Sequence, residues 1–447
     1  MKQEDLLKYE SQRRDVLKTP FISYEERVSI LKKLKSIIEE NINNINYSLK
    51  KDLNKHENEV YFSEIGLILN EIRFVLKNLK KWMKPKKVKT PLAVFSGVSK
   101  IIQQAMGHCL IISPWNYPFY LTFMPLISAV AAGNRVIIKT SELSKHSSSL
   151  ITKIINEDLK TDKVYVMSPD VNDIKEMLKN KFDFVFFTGS ERVGNLISEQ
   201  VAKFHTPIIL ELGGKCPVIL DYSADLRNAA NKIMAAKFIN SGQTCVAPDY
   251  IVVPKNKGTK FIEYCQDYIN AKLDKLENFP KIISAQHHKR IMSLIPSDIN
   301  VQYTDTQILP KAFISDWDNK IMKQEIFGPL LPVIEYQDFS EIVRKISEKS
   351  EPLATYVFTK EKKFVDEVFK NIRTGALVIN DLLIQLANHY LPFGGVGSSG
   401  HGRSHGHAGF LEFSNSVSYY RRTWFSTELS EHPYSELKLK ILKKIIK

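Results

Sequence analysis

From Gly107 onward, short apolar runs alternate with helical stretches, and this alternation constrains the fold more than any other feature of the chain. HCLIISPW, RVIIKT, KVYVMS and FDFVFFTG are continuous apolar runs of strand length, each followed by residues at helical spacing. Strands that are apolar throughout are covered on both faces, and a helix between two of them returns the chain so that they pair in parallel. The pattern predicts an α/β fold with a doubly wound sheet that offers ligand sites at the carboxyl ends of its strands. PFYLTFMPLISAVAAG, opened by Pro118 and closed by Gly133, reads as the first crossover helix. After PIILELGG the rhythm restarts with CPVILD, a helix over 225–240, DYIVVP and another helix. This predicts a second α/β unit, with the first boundary near residue 210.

The flanking segments differ. Residues 1–83 place apolar and charged positions at helical spacing, as in ERVSILKKLKSIIEENINNI, until Pro85 breaks the pattern. Residues 91–106 carry short β-type runs with Gly97 at a turn, and the terminal ELKLKILKKIIK is basic and apolar. No run reaches the ~18 uncharged apolar residues of a membrane span, and the first residues lack the apolar core of a secretion signal, so a cytoplasmic protein is expected. The net charge is +14, but the lysines are scattered rather than blocked with aromatics, which argues against nucleic acid as a partner. The four cysteines (Cys109, Cys216, Cys245 and Cys265) form no CxxC or Cys/His cluster, so neither a disulfide framework nor a metal site is expected.

Several short constellations fall at the ends of these runs. In IISPWNYPFY, Asn116 could donate to a developing oxyanion, or could cap the following helix. In IIKTSELS, Lys139 and Glu142 suit the hydroxyls of a ribose, or form a surface pair with a capping box. In FFTGSERVG, Gly189 and Gly194 flank a strand-to-helix turn whose N–H groups can hold a pyrophosphate, although the spacing departs from GxGxxG. In ILELGGKCP, Glu211 lies in apolar surroundings that raise a carboxyl pKa, as a general base near neutrality requires; Lys215 could instead make it a structural ion pair. In INSGQTCVAPDY, Cys245 follows small polar residues between a helix and a strand, whereas the other three cysteines read as packing residues; Cys245 is the candidate nucleophile. Glu325 and Phe327 of QEIFGPLLPVI offer a carboxylate and a ring, and Phe393 of LPFGGVGSSGHG could wall a pocket or sit in a surface loop.

Taken together and in this order, PWNYPF, KTSE, FTGSxxVG, LELGGK, GQTC, EIFGP and PFGGVGxSG resemble the aldehyde dehydrogenase superfamily from about Tyr61 to Phe413. GQTCVAPDY and LPFGGVGSSGHG look like its class 3 branch, which implies oxidation of medium-chain aliphatic or aromatic aldehydes with NAD, NADP also being possible. The resemblance makes Cys245 the nucleophile, Glu211 the base that activates water, and Asn116 with the Cys245 N–H the oxyanion hole. Lys139 and Glu142 would hold the adenosine ribose, and Gly189 and Gly194 would border the pyrophosphate. Glu325 and Phe327 would position the nicotinamide riboside, Trp115 and Ser190 would be further cofactor-binding residues, and Tyr61, Tyr117 and Phe393 would line the substrate tunnel. It further implies a Rossmann-like cofactor-binding domain (1–87 and 107–210), an α/β catalytic domain (211–411) and an oligomerisation arm with tail (88–106 and 412–447) that supports a homodimer. Two departures stand out: the stretch from Cys245 to Glu325 is short, without the customary glycines near Val301, and the tail carries no membrane helix. Two rivals remain. One is an enzyme of the same fold that passes its acyl group to coenzyme A, which has no use for Glu211; the other is a non-catalytic protein on this scaffold.

Overall fold

The computed structural model describes residues 1–94, 96–273, 275–422 and 429–446, within which the strands form three sheets. The first sheet has six strands, in spatial order Gly400–His401, Ile208–Leu212, Phe184–Gly189, His108–Ile112, Arg135–Lys139 and Val164–Val166. All neighbours are parallel except the first pair. From His108–Ile112 the chain winds outward through Arg135–Lys139 to Val164–Val166, then crosses to the opposite side at Phe184–Gly189. The carboxyl ends of His108–Ile112 and Phe184–Gly189 therefore flank a topological switch point, where an open α/β sheet leaves a crevice. The crossover helix Tyr120–Ala132 is buried along its whole length and stops at Gly133, whose φ of 97° only glycine adopts cheaply; a Cβ there would also strike the Arg27 guanidinium.

The second sheet is wholly parallel, in the order Lys311–Ile314, Leu330–Tyr336, Tyr250–Pro254, Pro217–Leu220, Ala354–Phe358 and Ala376–Ile379. The third is an antiparallel ribbon of Lys86–Val88, Gly97–Ala105 and Ser414–Arg422, with Ser414 opposite Ala105 and Arg422 opposite Gly97. Positions 95, 423–428 and 447 of the expected arm and tail, like position 274, lie outside the described residues.

The expected boundary at 210 needs correction. The strand Ile208–Leu212 runs across it, and Gly400–His401 returns to pair with that strand. The helix Gly406–Glu412 then packs on Tyr120–Ala132, so 400–412 belong to the first unit and not to a catalytic domain ending at 411. Hydrogen bonding decides this: the edge of Ile208–Leu212 left open by Phe184–Gly189 takes a strand that lies nearly two hundred residues away.

The N-terminal helices Tyr24–Glu40 and Gly66–Trp82 cover one face of the first sheet. The short helix Glu57–Val60 enters Gly66–Trp82 through a π-helical turn, Tyr61–Ile65. A π turn holds one residue more than an α turn and shifts the side chains after it by ~100°. Glu64 thereby points inward, fully buried, and pairs with the equally buried Lys55 at 2.8 Å. Its other oxygen accepts the backbone N–H groups of Phe119 (3.0 Å) and Tyr120 (3.2 Å), so the crossover helix is capped by a carboxylate from another element.

Candidate active site

Asn116 sits four residues past the strand His108–Ile112 and is buried, but caps nothing, because the helix begins at Tyr120. Its Nδ2 donates to the Gln243 carbonyl at 3.0 Å, and its own carbonyl accepts from Lys55 Nζ (2.9 Å) and Asn240 Nδ2 (2.8 Å). An amide carries two N–H groups, so one remains for a ligand. Cys245 is therefore brought beside Asn116 through the turn 240–244, the backbone of which holds the amide.

Cys245 is half-buried, whereas Cys109, Cys216 and Cys265 are buried, and all four are free. Burial first, then the negative charges of Glu211 and Glu325, push its thiol up to about 12, while the N–H groups of Cys245 and Val246 pull it back. Glu211 is the penultimate residue of the strand Ile208–Leu212, buried, with Oε1 accepting the Ser404 hydroxyl at 2.5 Å. Burial raises its carboxyl to about 7, against the Ser404 hydrogen bond and the charge of Arg403. Lys215 is not its partner: that ammonium pairs with Asp249 and also donates to the Gln324 carbonyl at 2.9 Å.

A cavity of about 370 Å³ opens onto Cys245, within the ~300–1,000 Å³ usual for small-molecule sites. Its walls are mostly apolar and include Phe62, Tyr117, Tyr120, Leu382 and Phe393; the ion pair Lys232–Asp381 (2.8 Å) also borders it. The Tyr117 hydroxyl meets Thr244 Oγ1 at 2.6 Å, next to the nucleophile. Tyr61 is not on the lining and is 52% exposed; the π turn presents Phe62 and Ser63 instead, which corrects the expectation for Tyr61.

The cofactor candidates gather at the carboxyl edge of the first sheet. Lys139 ends its strand and pairs with the exposed Glu142 at 2.8 Å; the next helix starts only at Lys145, so no capping box forms there. Gly189 ends the strand on the other side of His108–Ile112, and Ser190 precedes the helix Glu191–Ala202 without a side-chain cap. Gly194 is buried in that helix's first turn, where a Cβ would stand 2.9 Å from Leu212 Cδ2. Among the described residues, Thr140 Oγ1 and Thr188 Oγ1 are buried without partners at the ends of these two strands. Orphaned hydroxyls beside an uncapped helix N-terminus suit a ligand with both hydroxyls and phosphates, as a dinucleotide has.

On the other side of Cys245, Glu325 lies against the Gly213 backbone, where a Cβ would collide with its carboxylate. Burial and Asp249 raise its carboxyl to about 8. Phe327 adopts a left-handed φ of 46° and stands edge-on to Trp115 (5.5 Å), whose ring also packs on His287 (5.2 Å). Arg290 steadies this segment through the Glu325 (3.2 Å) and Ile326 (2.7 Å) carbonyls. Sequence reasoning missed Ser404, Lys55, Glu64, Thr140, Thr188 and His287. Only the two threonines carried a signal, each standing at the end of an apolar run.

A family model described as "Aldehyde dehydrogenase family" matches residues 16–418. An aldehyde dehydrogenase of Craterostigma plantagineum is 36% identical over 95% of this chain and 92% of its own length. A mouse protein described as "Aldehyde dehydrogenase, dimeric NADP-preferring" is 34% identical over 91% of this chain and 92% of its own. The structure of Staphylococcus aureus AldH in a substrate-bound state superposes with a TM-score of 0.95 at 35% identity, covering 100% of both chains.

Proposed function

The chain belongs to the aldehyde dehydrogenase family, and from that premise we propose how its own residues carry the reaction. It is an NAD(P)-dependent enzyme that oxidises aldehydes. Cys245 gives up its thiol proton to water, and the thiolate sulfur adds to the aldehyde carbon, so that the carbonyl π pair moves onto oxygen and the oxygen takes up the charge. Asn116 Nδ2 and the Cys245 N–H stabilise that oxyanion in a site shielded from water. Bound NAD(P) supplies the two-electron acceptor, after which the acyl group remains on Cys245 as a thioester. Glu211, with its carboxyl near 7, takes a proton from water, and the hydroxide releases the carboxylic acid. Lys139 and Glu142 hold the adenosine ribose, Gly189, Ser190 and Gly194 border the pyrophosphate, and Trp115, Glu325 and Phe327 face the nicotinamide side.

One observation carries this reading: Cys245 lines an apolar cavity and at the same time lies within electrostatic reach of Glu211. The aromatic walls (Phe62, Tyr117, Tyr120, Phe393) favour medium-chain aliphatic or aromatic aldehydes. A panel of such aldehydes with each coenzyme, followed by reduced-coenzyme absorbance, tests the proposal. Turnover that depends on coenzyme A would favour the acylating rival, and no turnover with any aldehyde would favour a non-catalytic role.

Assembly and compartment follow from other features. Lys86–Val88 and Ser414–Arg422 are the outer strands of the ribbon and mostly exposed, so their open edges invite a second copy. The mouse relative is described as dimeric, and we take a homodimer as the working form. Light scattering that gives a monomer mass at micromolar concentration would exclude it. The four free cysteines suit a reducing compartment such as the cytoplasm. Among the described residues no helix is long and apolar enough to cross a membrane.

A further inference from the structure

The reaction leaves one carboxylate beside the nucleophile turn without a task. Glu59, in the short helix Glu57–Val60, is half-buried, and its Oε1 accepts the backbone N–H of Asn240 at 2.8 Å. Asn240 (φ 50°) and Ser241 (φ 54°) are consecutive non-glycine residues in the left-handed region, followed by Gly242 at 69°. Side chains disfavour that region, and such a run persists only where its surroundings hold it. Ser241 gives no help: its hydroxyl is buried and unpartnered among the described residues.

What the turn holds matters for chemistry. Asn240 Nδ2 donates to the carbonyls of Asn116 (2.8 Å) and Gln243 (3.1 Å), and Asn116 Nδ2 donates to the same Gln243 carbonyl (3.0 Å). Asn240 thus ties the two sides of the oxyanion hole together. Burial, with a smaller push from Glu64, raises the Glu59 carboxyl to about 7, while Lys55 and the Asn240 N–H pull it back; Tyr117 faces it from the cavity wall.

We propose that Glu59 is a positioning residue for the nucleophile: its carboxylate holds the Asn240 amide, and through it the left-handed turn that aims Asn116 and the Cys245 N–H at one oxygen. The inference rests on the roles given above to Cys245 and Asn116.

Glu59→Gln keeps an acceptor opposite the Asn240 N–H, and Glu59→Ala removes it. The alanine variant should lose kcat on the order of 10- to 100-fold, as sub-ångström misplacement of reacting groups does, with KM for NAD unchanged. The glutamine variant should stay within about threefold of wild type, because a neutral acceptor retains the contact. Adding Ser241→Gly to Glu59→Ala should recover much of the loss, because glycine enters the left-handed region without a prop. Full kcat in Glu59→Ala overturns the proposal, as does an equal loss in both variants or a loss confined to the melting temperature. Cys245→Ala run in parallel keeps the failures apart: if it is inactive while Glu59→Ala is fully active, only this inference falls.

Discussion

Replacing Glu211 with glutamine would separate its chemistry from its place in the fold. The side chain is 4% exposed, and Oε1 accepts the Ser404 hydroxyl at 2.5 Å, an acceptor role that an amide oxygen can keep. What disappears is the titration. Burial raises the carboxyl from 4.5 to about 7. The difference, 7 − 4.5, corresponds to about 3 kcal/mol at ~1.4 kcal/mol per unit. The native state holds this proton more tightly than the unfolded chain does. Its contribution to stability is therefore fully present below about 4.5 and is lost as the pH rises through about 7. Glutamine does not titrate, so Glu211→Gln should gain stability relative to wild type between about pH 5 and about pH 8, by at most about 3 kcal/mol. Steady-state turnover should meanwhile fall by roughly 10²–10⁴, the usual worth of a general base, while the first turnover still releases a burst of NADH. Urea unfolding at both pH values and rapid-mixing absorbance supply the two measurements. A full-rate steady state in the folded variant refutes the base assignment, and a pH-independent stability difference refutes the raised carboxyl. A slowed burst that recovers at high pH would add deprotonation of Cys245 to the tasks of Glu211.

Ser404→Ala removes a donor that stabilises the Glu211 carboxylate, so the acid limb of kcat should move to higher pH, with Ser404→Thr restoring it; an unmoved limb would show that the contact does not tune the base. Cys245→Ala should abolish oxidation and leave dinucleotide binding intact, and retained turnover would sink the mechanism. In the free wild-type enzyme, alkylation should reach Cys245 before the three buried cysteines, and its rate should keep climbing through the alkaline range because the thiol is pushed up to about 12; a plateau near neutrality would contradict this. In the proposed role at the adenosine ribose, Glu142 would repel a 2′-phosphate, with its ion-pair partner Lys139 softening the effect, so NAD should be preferred and NADP still used. Glu142→Ala should lower that preference, and a wild-type kcat/KM several-fold higher with NADP than with NAD would remove Glu142 from the role.

The parallel sheets were legible in the sequence because a strand covered on both faces must be apolar throughout, whatever lies around it. FFTGS and LELGG were legible for a related reason: each is short, local and placed where such a run ends, so the strand itself carries Gly189 and Glu211 to the sheet edge, while SGQTC is an equally local run between a helix and a strand. Contacts between distant segments were not. Ser404 meets Glu211 across 193 positions, Glu64 caps Phe119 across 55, and Lys215 turns away from Glu211 toward Asp249, 34 positions on. No local pattern encodes these partners, because they depend on which open strand edge or buried donor remains once the sheets have closed. The exchange of Tyr61 for Phe62 on the cavity wall has the same character. Helical spacing placed both residues on one amphipathic segment, but the choice between them rests on a π turn, and one extra residue in a turn rotates every side chain after it. Local chemistry and apolar pattern therefore settled which strands form and which residues are candidates to react, while the tertiary structure decided which groups hold them in place.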